Sequence, residues 1–153
     1  MDRGQASSAE IYASGYSLDE TARRALEVEV GETVVGEVRC ALNPIRPEVG
    51  QFFGMALSDD EGPGFVRYSS GGYYRRHCDV IPGRDDFPRR ISLVVFLTTA
   101  GEDFDGGALR LYGHRRHEIA PRAGMLVAFP SDIPHEVLRV TGGVRDAVVD
   151  WLF

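Results

Sequence analysis

The sequence predicts a mainly β protein of the α+β class, a jelly roll with N-terminal helices packed outside. Three observations lead there. From Phe65 onward the chain breaks into short β-rich runs, among them "FVRYSS", "GYYRRHCDV", "RISLVVFLTT", "ALRLYG", "HEIAP", "GMLVAFP", "HEVLRV" and "RDAVVDWLF". The gaps between them are turn-rich: "PGRDD", "GEDFDGG", "PRAG", "PSDIP" and "TGG". Many short strands at such spacing indicate a sandwich or barrel, not a βαβ sheet. Helical signals, by contrast, are confined to the region before residue 60. Finally, 153 residues with 43% hydrophobic and 26% charged content make one soluble globular domain. The chain is therefore read as a single domain over 1–153, with a helical part at 1–60 and a β core at 65–153.

Taken in order, residues 1–16 are polar and small, the composition of a frayed terminus. "SLDETARRALEVEVG" opens with a capping-box pattern, Ser17 and then Glu20, and predicts a first helix over 17–31 that stops at Gly31. "RPEVGQFFGMAL" sets Val49, Phe52, Phe53, Ala56 and Leu57 on one face after a proline suited to a helix start, and predicts a second. There are no repeats and no long linker.

The net charge of -6 argues against a general nucleic-acid binder, since phosphate neutralisation needs surplus cations. No apolar run is long enough to cross a bilayer, and "MDRGQASSAE" has no signal-like apolar core, so a cytoplasmic location is expected and a membrane partner is not. All 17 basic residues are arginine, which rules out lysine-based chemistry. Cys40 and Cys78 are too few for a disulfide scaffold, and Cys78 reads as a small buried apolar residue.

Candidate chemistry begins at "YYRRHCDVIPG", residues 73–83. Residues i and i+2 of a strand share a face, so His77 and Asp79 can present an imidazole nitrogen and a carboxylate oxygen to one point. His135, at the opening of "HEVLRV", supplies a third ligand. Two histidines and a carboxylate on one side of a divalent ion leave the opposite positions open, which suits non-heme Fe(II) and oxygen. His-x-Asp alone is a weak signal and equally describes a hydrogen-bonded pair in a strand. His114 and His117 stand in a charged hairpin and read as solvated. Arg145, ten residues after His135 on the last strand, fits either a surface ion pair with Asp146 or Glu136, or a bidentate carboxylate holder in the same cavity.

These residues together resemble the prolyl-4-hydroxylase-like branch of the 2-oxoglutarate- and Fe(II)-dependent dioxygenases. "YSSGGYYRRHCD" is similar to that branch's Y-x-x-G-x-x-Y-x-x-H-x-D, with Tyr68, Gly71, Tyr74, His77 and Asp79 in place. "RRISLVVFL" and "FDGGALRLYG" resemble its second core strand and the Gly-Gly turn before the next. "IAPRAGMLVAFPSDIPHEV" resembles the segment ending in the second metal histidine, and "GGVRDAVVDWLF" the closing strand with its arginine and, six residues on, Trp151. The likeness runs from Tyr68 to Trp151.

The resemblance implies a double-stranded β-helix binding Fe(II) through His77, Asp79 and His135. It implies 2-oxoglutarate and dioxygen as co-substrates, with ascorbate as an activator, and Arg145 on the C5 carboxylate. Tyr68 and Tyr74 would line the co-substrate pocket; Tyr68 is the hydrogen-bond donor, while Tyr74 fits core packing equally well. The implied reaction hydroxylates an unactivated C–H bond of a prolyl, peptide or small-molecule substrate and releases succinate and CO2. Two positions depart from the pattern: Phe96 and Val149 stand where some relatives place a tyrosine and a threonine hydroxyl near that carboxylate.

Arg84, Asp85 and Asp86 of "VIPGRDDFPRR" read as a mobile lip over the metal or as a solvated connection. By alternation Arg75 faces inward with the ligands, toward an anionic substrate or the solvent at the rim, and Arg76 faces out. Two other functions fit the residues: a non-catalytic cupin-like module binding metal or ligand, and a zinc hydrolase. The hydrolase would need Glu136 as its acid or base, and alternation points Glu136 away from His135.

Overall fold

Two β-sheets, one of seven strands and one of five, face each other across a cavity, and the second of two helices packs on the outside of the larger sheet, with the first against it. The computed structural model describes residues 21–83 and 88–153, together with the backbone of residues 6–8, 11–12 and 16–17. In chain order the elements are β1 (Ala6–Ser8), β2 (Ile11–Tyr12), β3 (Tyr16–Ser17), β4 (Arg23–Arg24), β5 (Leu26–Val28), α1 (Glu32–Leu42) and α2 (Ile45–Phe53). They continue with β6 (Gly64–Ser69), β7 (Tyr73–His77), β8 (Ile91–Phe96), β9 (Phe104–Gly106) and β10 (Leu109–Tyr112). The last are β11 (Arg116–Ile119), β12 (Leu126–Pro130), β13 (His135–Val137) and β14 (Val140–Leu152). The larger sheet runs β1-β5-β6-β14-β8-β12 with β9 also on β14; the smaller runs β11-β10-β13-β7-β4. This is the antiparallel two-sheet architecture the sequence predicts.

Each strand expected after Phe65 is present. β8 is buried on both faces, which explains why "ISLVVF" is apolar almost without alternation. Val94 and Phe96 join Val66, Phe104, Leu109, Phe129 and Val137 between the sheets, whereas Ile91 and Leu93 meet Val49 and Leu152 beneath α2. β14 is 13 residues long and pairs in turn with β9, β6 and β8. Its early bend depends on Gly143, at φ 72°, where a Cβ would lie 2.2 Å from the Asp103 carbonyl oxygen.

The helix expected over 17–31 is not formed. Ser17 lies in β3 and Arg23–Val28 forms β4 and β5; Glu20 lies outside the described residues. In "LEV" the pattern is half-buried, exposed, half-buried, a period of two that the good helix formers around it mask. β4 pairs with β7 and β5 with β6, so this stretch crosses from the smaller sheet to the larger and closes one side of the cavity. The frayed terminus read over 1–16 falls largely outside the described residues, though Ala6–Ser8 pairs with β5. Helix α1 starts where the expected helix was to stop, with Gly31 as its N-cap, and buries no residue fully.

The second helix is present as α2 and ends at Gly54 in the left-handed region, φ 64°. Val49 and Phe53 face the sheet, but Phe52 is 82% exposed and Ala56 lies beyond the helix on the surface, so the apolar face is narrower than the sequence suggests. Cys78 is exposed, not buried, because it follows the last residue of β7 at the sheet's rim. Among the described residues no helix is long and apolar enough to cross a membrane.

One buried carboxylate sits outside the cavity. Asp150 is 3% exposed, and its Oδ1 accepts the backbone N–H of Gly62 and of Trp151. Burial raises its pKa to about 6, reinforced by Asp60 and opposed by those two N–H groups and Arg39. A carboxyl raised above its ordinary 3.8 binds more protons folded than unfolded, so its share of stability is lost as pH rises through about 4–6. Asp150→Asn keeps an oxygen for both N–H donors and removes the charge. The variant is expected to be more stable than the parent by about 1–3 kcal/mol at pH 8, with the gap closing by pH 4. Urea unfolding at the two pH values checks this.

Candidate active site

β7 and β13 pair with His77 opposite His135, and their rings lie 4.2 Å apart between centroids. Asp79 stands just beyond the end of β7, where its backbone N–H is held by the Ser131 carbonyl at 2.9 Å. One nitrogen or oxygen from each of His77, Asp79 and His135 lies within 4.8 Å of the others, a separation that a single ion can bridge. His77 Nε2 is 3.4 Å from Asp79 Oδ1, and His135 Nε2 is 3.5 Å from Oδ2.

Both imidazoles are oriented in the same way. His77 Nδ1 donates to the Arg75 carbonyl at 2.7 Å and His135 Nδ1 to the Ile133 carbonyl at 2.9 Å, each two residues back along its own chain. A carbonyl oxygen only accepts, so the proton sits on Nδ1 and the Nε2 lone pairs turn toward Asp79. Burial lowers the pKa of His135, against the opposing charge of Asp79, and so favours the neutral imidazole that ligation requires. For Asp79 burial alone would raise the pKa. A hydrogen bond from His77 and the positive charges of His135 and His77, all present only while Nε2 is protonated as well, outweigh it together with the Trp151 N–H and hold the carboxyl below its ordinary value; a bound ion would stand in for those Nε2 protons. Two neutral nitrogens and one carboxylate form the donor set of a divalent ion of intermediate softness, and the residues fit Fe(II).

Asp79 is held further by residues the ligand pattern does not name. Its Oδ2 accepts Ser92 Oγ at 2.7 Å and Trp151 Nε1 at 2.9 Å, which turns Oδ1 toward His77. Ser92 in turn meets Ser131 Oγ at 2.9 Å. The signals for both partners were in the sequence: Trp151 lies an even number of residues from Arg145 and so on its face of β14, and Ser92 is the polar residue in an apolar run.

Tyr74 and His77 are three apart yet share the inward face, stacked at 3.5 Å. The cause is a bulge. His77 pairs with His135 and Tyr74 with Val137, so β7 carries one more residue than β13 over this span. Arg75 and Arg76 are both exposed and both border the cavity, so Arg75 stands at its rim, one of the two places read for it, while Arg76 lies over the Tyr112 ring at 4.1 Å. Burial pushes the Tyr74 hydroxyl up to about 12, with Arg23 opposing and Asp79 adding to the rise, so it stays a neutral phenol.

Arg145 is 1% exposed and paired in register with Tyr68 on β6. Its guanidinium carbon lies 5.0 Å from the Tyr68 ring and 5.3 Å from that of Phe96, and its Nε has no hydrogen-bond partner among the described residues. Burial lowers its pKa, against Tyr68 and Asp146, but a guanidinium remains cationic at neutral pH. Neither sequence-level partner holds it. Asp146 takes Arg67 at 2.8 and 2.7 Å, and Glu136 accepts from Arg110 at 2.9 Å and from the Tyr112 hydroxyl at 2.5 Å. Glu136 is thus engaged away from His135, which removes the acid or base a hydrolase would need. His114 and His117 are exposed, as read. Arg84, Asp85 and Asp86, the expected lip, lie outside the described residues.

A cavity of about 830 Å³ joins the two halves, lined by His77, Asp79 and His135 and by Tyr68, Tyr74 and Arg145. Of the two hydroxyl-lacking positions, Phe96 is fully buried beside Arg145, and Val149 lines the cavity.

The fold and this site define a double-stranded β-helix protein with a two-histidine, one-carboxylate cluster in its cavity. Residues 63–153 match the 2OG-Fe(II) oxygenase superfamily, and the chain belongs to that family, whose members use Fe(II), 2-oxoglutarate and dioxygen. It is 32% identical over 129 residues to a PKHD-type hydroxylase of Stenotrophomonas maltophilia, covering 72% of this chain and 56% of that protein. A PKHD-type hydroxylase of Nitrobacter winogradskyi is 37% identical over 95 residues, 58% of this chain and 42% of the relative. The chain thus spans about half the length of these curated relatives. Among solved structures, a Pseudomonas putida prolyl-4-hydroxylase superposes with a TM-score of 0.73 at 32% identity, covering 87% of this chain and 73% of that one. A Trichoplax adhaerens prolyl hydroxylase, at 22% identity and TM-score 0.75 over 97% of this chain and 70% of that one, shares the fold.

Room for Arg145 depends on Gly107, at φ 61°, where a Cβ would lie 2.8 Å from the Phe104 ring and 3.0 Å from Arg145 Cδ. Gly107→Ala is expected to cost about 1–3 kcal/mol of stability through backbone strain and to displace the guanidinium. A denaturation curve alongside a 2-oxoglutarate titration checks both effects.

Proposed function

We propose that the chain is an Fe(II)- and 2-oxoglutarate-dependent dioxygenase that hydroxylates an unactivated C–H bond and releases succinate and CO2. The observation that supports this most is one cavity shared by an anionic two-histidine, one-carboxylate cluster and a buried arginine without a carboxylate partner among the described residues. Iron would supply dioxygen activation coupled to oxidative decarboxylation of the co-substrate. His77, Asp79 and His135 hold it from one side and leave the cavity side open. Arg145, the buried cation of the cavity, pairs with the C5 carboxylate of 2-oxoglutarate. Tyr68, buried beside Arg145, donates its phenol O–H to the co-substrate. Tyr74 walls the pocket and keeps the His77 ring from turning.

The substrate is read as a prolyl residue in a peptide or protein, ahead of a free small molecule. The prolyl-4-hydroxylase name of the relative at 32% identity supports this choice.

An anaerobic titration of the Fe(II)-loaded protein with 2-oxoglutarate tests the reading. A visible charge-transfer band is expected in the parent and is expected to weaken at least tenfold in apparent affinity, about 1.4 kcal/mol, for Arg145→Ala. Asp79→Ala should bind no iron and give no band. Full metal occupancy with no band in the parent would sink the dioxygenase reading. Succinate release with prolyl peptides against free proline then separates the two substrate classes.

A further inference from the structure

Trp151 is the chain's one tryptophan, and it is held from three sides. Its backbone carbonyl accepts the Glu61 N–H at 3.0 Å. The Arg89 guanidinium lies over its ring, with the central carbon 3.7 Å from the centroid. Its Nε1 donates to Asp79 Oδ2 at 2.9 Å. Glu61, which holds the backbone of Trp151, also grips Arg89 with both carboxylate oxygens: Oε1 accepts from Nε and Oε2 from Nη2, each at 2.7 Å. The remaining arm, Arg89 Nη1, reaches the backbone carbonyl of Asp79 at 3.4 Å.

The geometry has a direction. A two-pronged carboxylate–guanidinium pair fixes the plane of the guanidinium, not merely its position. A planar cation stacked on an indole fixes the plane of the indole in turn. Indole donates only through its N–H, in the ring plane, so the ring's orientation decides whether the bond to Oδ2 exists. Both partners of the ion pair are only 17% exposed at the side chain, so the pair is shielded from water more than a surface pair would be. Glu61 precedes β6, Arg89 precedes β8 and Trp151 ends β14, so three separate segments converge on one hydrogen bond.

We propose that Glu61 and Arg89 are positioning residues for the metal-binding carboxylate. Acting through Trp151, they fix Oδ2, the oxygen 3.5 Å from His135 Nε2, as a hydrogen-bond acceptor, so that Asp79 presents Oδ1 toward His77 and the carboxylate plane is aimed at the point the three residues share. The inference rests on the metal centre proposed above and extends it to residues that touch neither metal nor co-substrate.

The test uses the whole chain and Co(II), with two readouts at equilibrium: Trp151 emission, quenched by a nearby paramagnetic ion, and the Co(II) ligand-field spectrum at saturation. Arg89→Ala and Trp151→Phe are each expected to weaken Co(II) binding about 10–100-fold and to alter the spectrum in the same way, as the carboxylate is freed to turn. Glu61→Gln should move both in the same direction by less. Because Arg89 acts through Trp151, the Arg89→Ala/Trp151→Phe double variant, read by the spectrum, should bind no more weakly than Trp151→Phe alone. A purely structural clamp would lower melting temperatures but leave the affinity and spectrum of the folded protein unchanged. That result, or losses that multiply in the double variant, overturns the proposal. If Arg89→Ala does not fold, Glu61→Gln, which keeps the stacked cation, decides it by the same spectrum. A parent that binds no Co(II) overturns the metal centre and the clamp together; a parent that binds, with unaltered variants, overturns the clamp alone.

Discussion

The constraint from which the rest of the site follows is a carboxylate withdrawn from most of the solvent, its side chain 11% exposed. Asp79 sits between the sheets with two imidazoles, an indole N–H and a serine hydroxyl as its neighbours. An isolated charge in such a place is costly enough that it would ordinarily take up a proton. Here the surrounding donors hold it ionised. They divide its two oxygens, giving Oδ2 to Ser92 and Trp151 and leaving Oδ1 toward His77, so the group is both charged and aimed. A metal centre needs both, and a hydrogen-bonded His–Asp pair in a strand would need neither.

Two elements deliver the neighbours. β14 crosses the larger sheet beside both β6 and β8, and its alternation carries Arg145 and Trp151 on one face at opposite ends of the cavity. The spacing along that strand sets the distance between the arginine and the metal-binding cluster, much as a dicarboxylate co-substrate requires. β7 does the complementary work from the smaller sheet. Its bulge spends one residue to bring Tyr74 onto the ligand face, where the ring backs His77.

This division explains how much was legible in the sequence. The ligands were, because His77 and Asp79 are two apart and His135 opens a strand of its own, and such spacing survives small errors in element bounds. Arg145 was legible as a candidate only, since nothing local distinguishes a surface ion pair from a buried cation. Its isolation follows from Asp146 and Glu136 facing elsewhere. The stacking of Tyr74 on His77 was not legible, because a bulge is set by the partner strand. Strands β4 and β5 were hidden for a related reason: "ARRALEVEV" has the composition of a helix, and pairing with β7 and β6 overrides that preference. Glu61, Arg89 and Trp151 come from three separate segments, so only the fold brings them together at Asp79.

The arginine end shows the opposite economy. Arg145 is surrounded by the faces of Tyr68 and Phe96, with Val149 on the cavity wall, and no carboxylate of the described residues holds it. A buried guanidinium in that state is destabilising until an anion arrives, because aromatic faces return only part of the hydration it has lost. On the proposed reading, the metal end supplies the negative charge for a cation, and the arginine end supplies the cation for a carboxylate. Phe96 and Val149 offer no hydroxyl, so recognition of that carboxylate would rest on charge. A ligand that satisfies both ends carries a metal-binding group and a distal carboxylate, which is the chemistry of the proposed co-substrate.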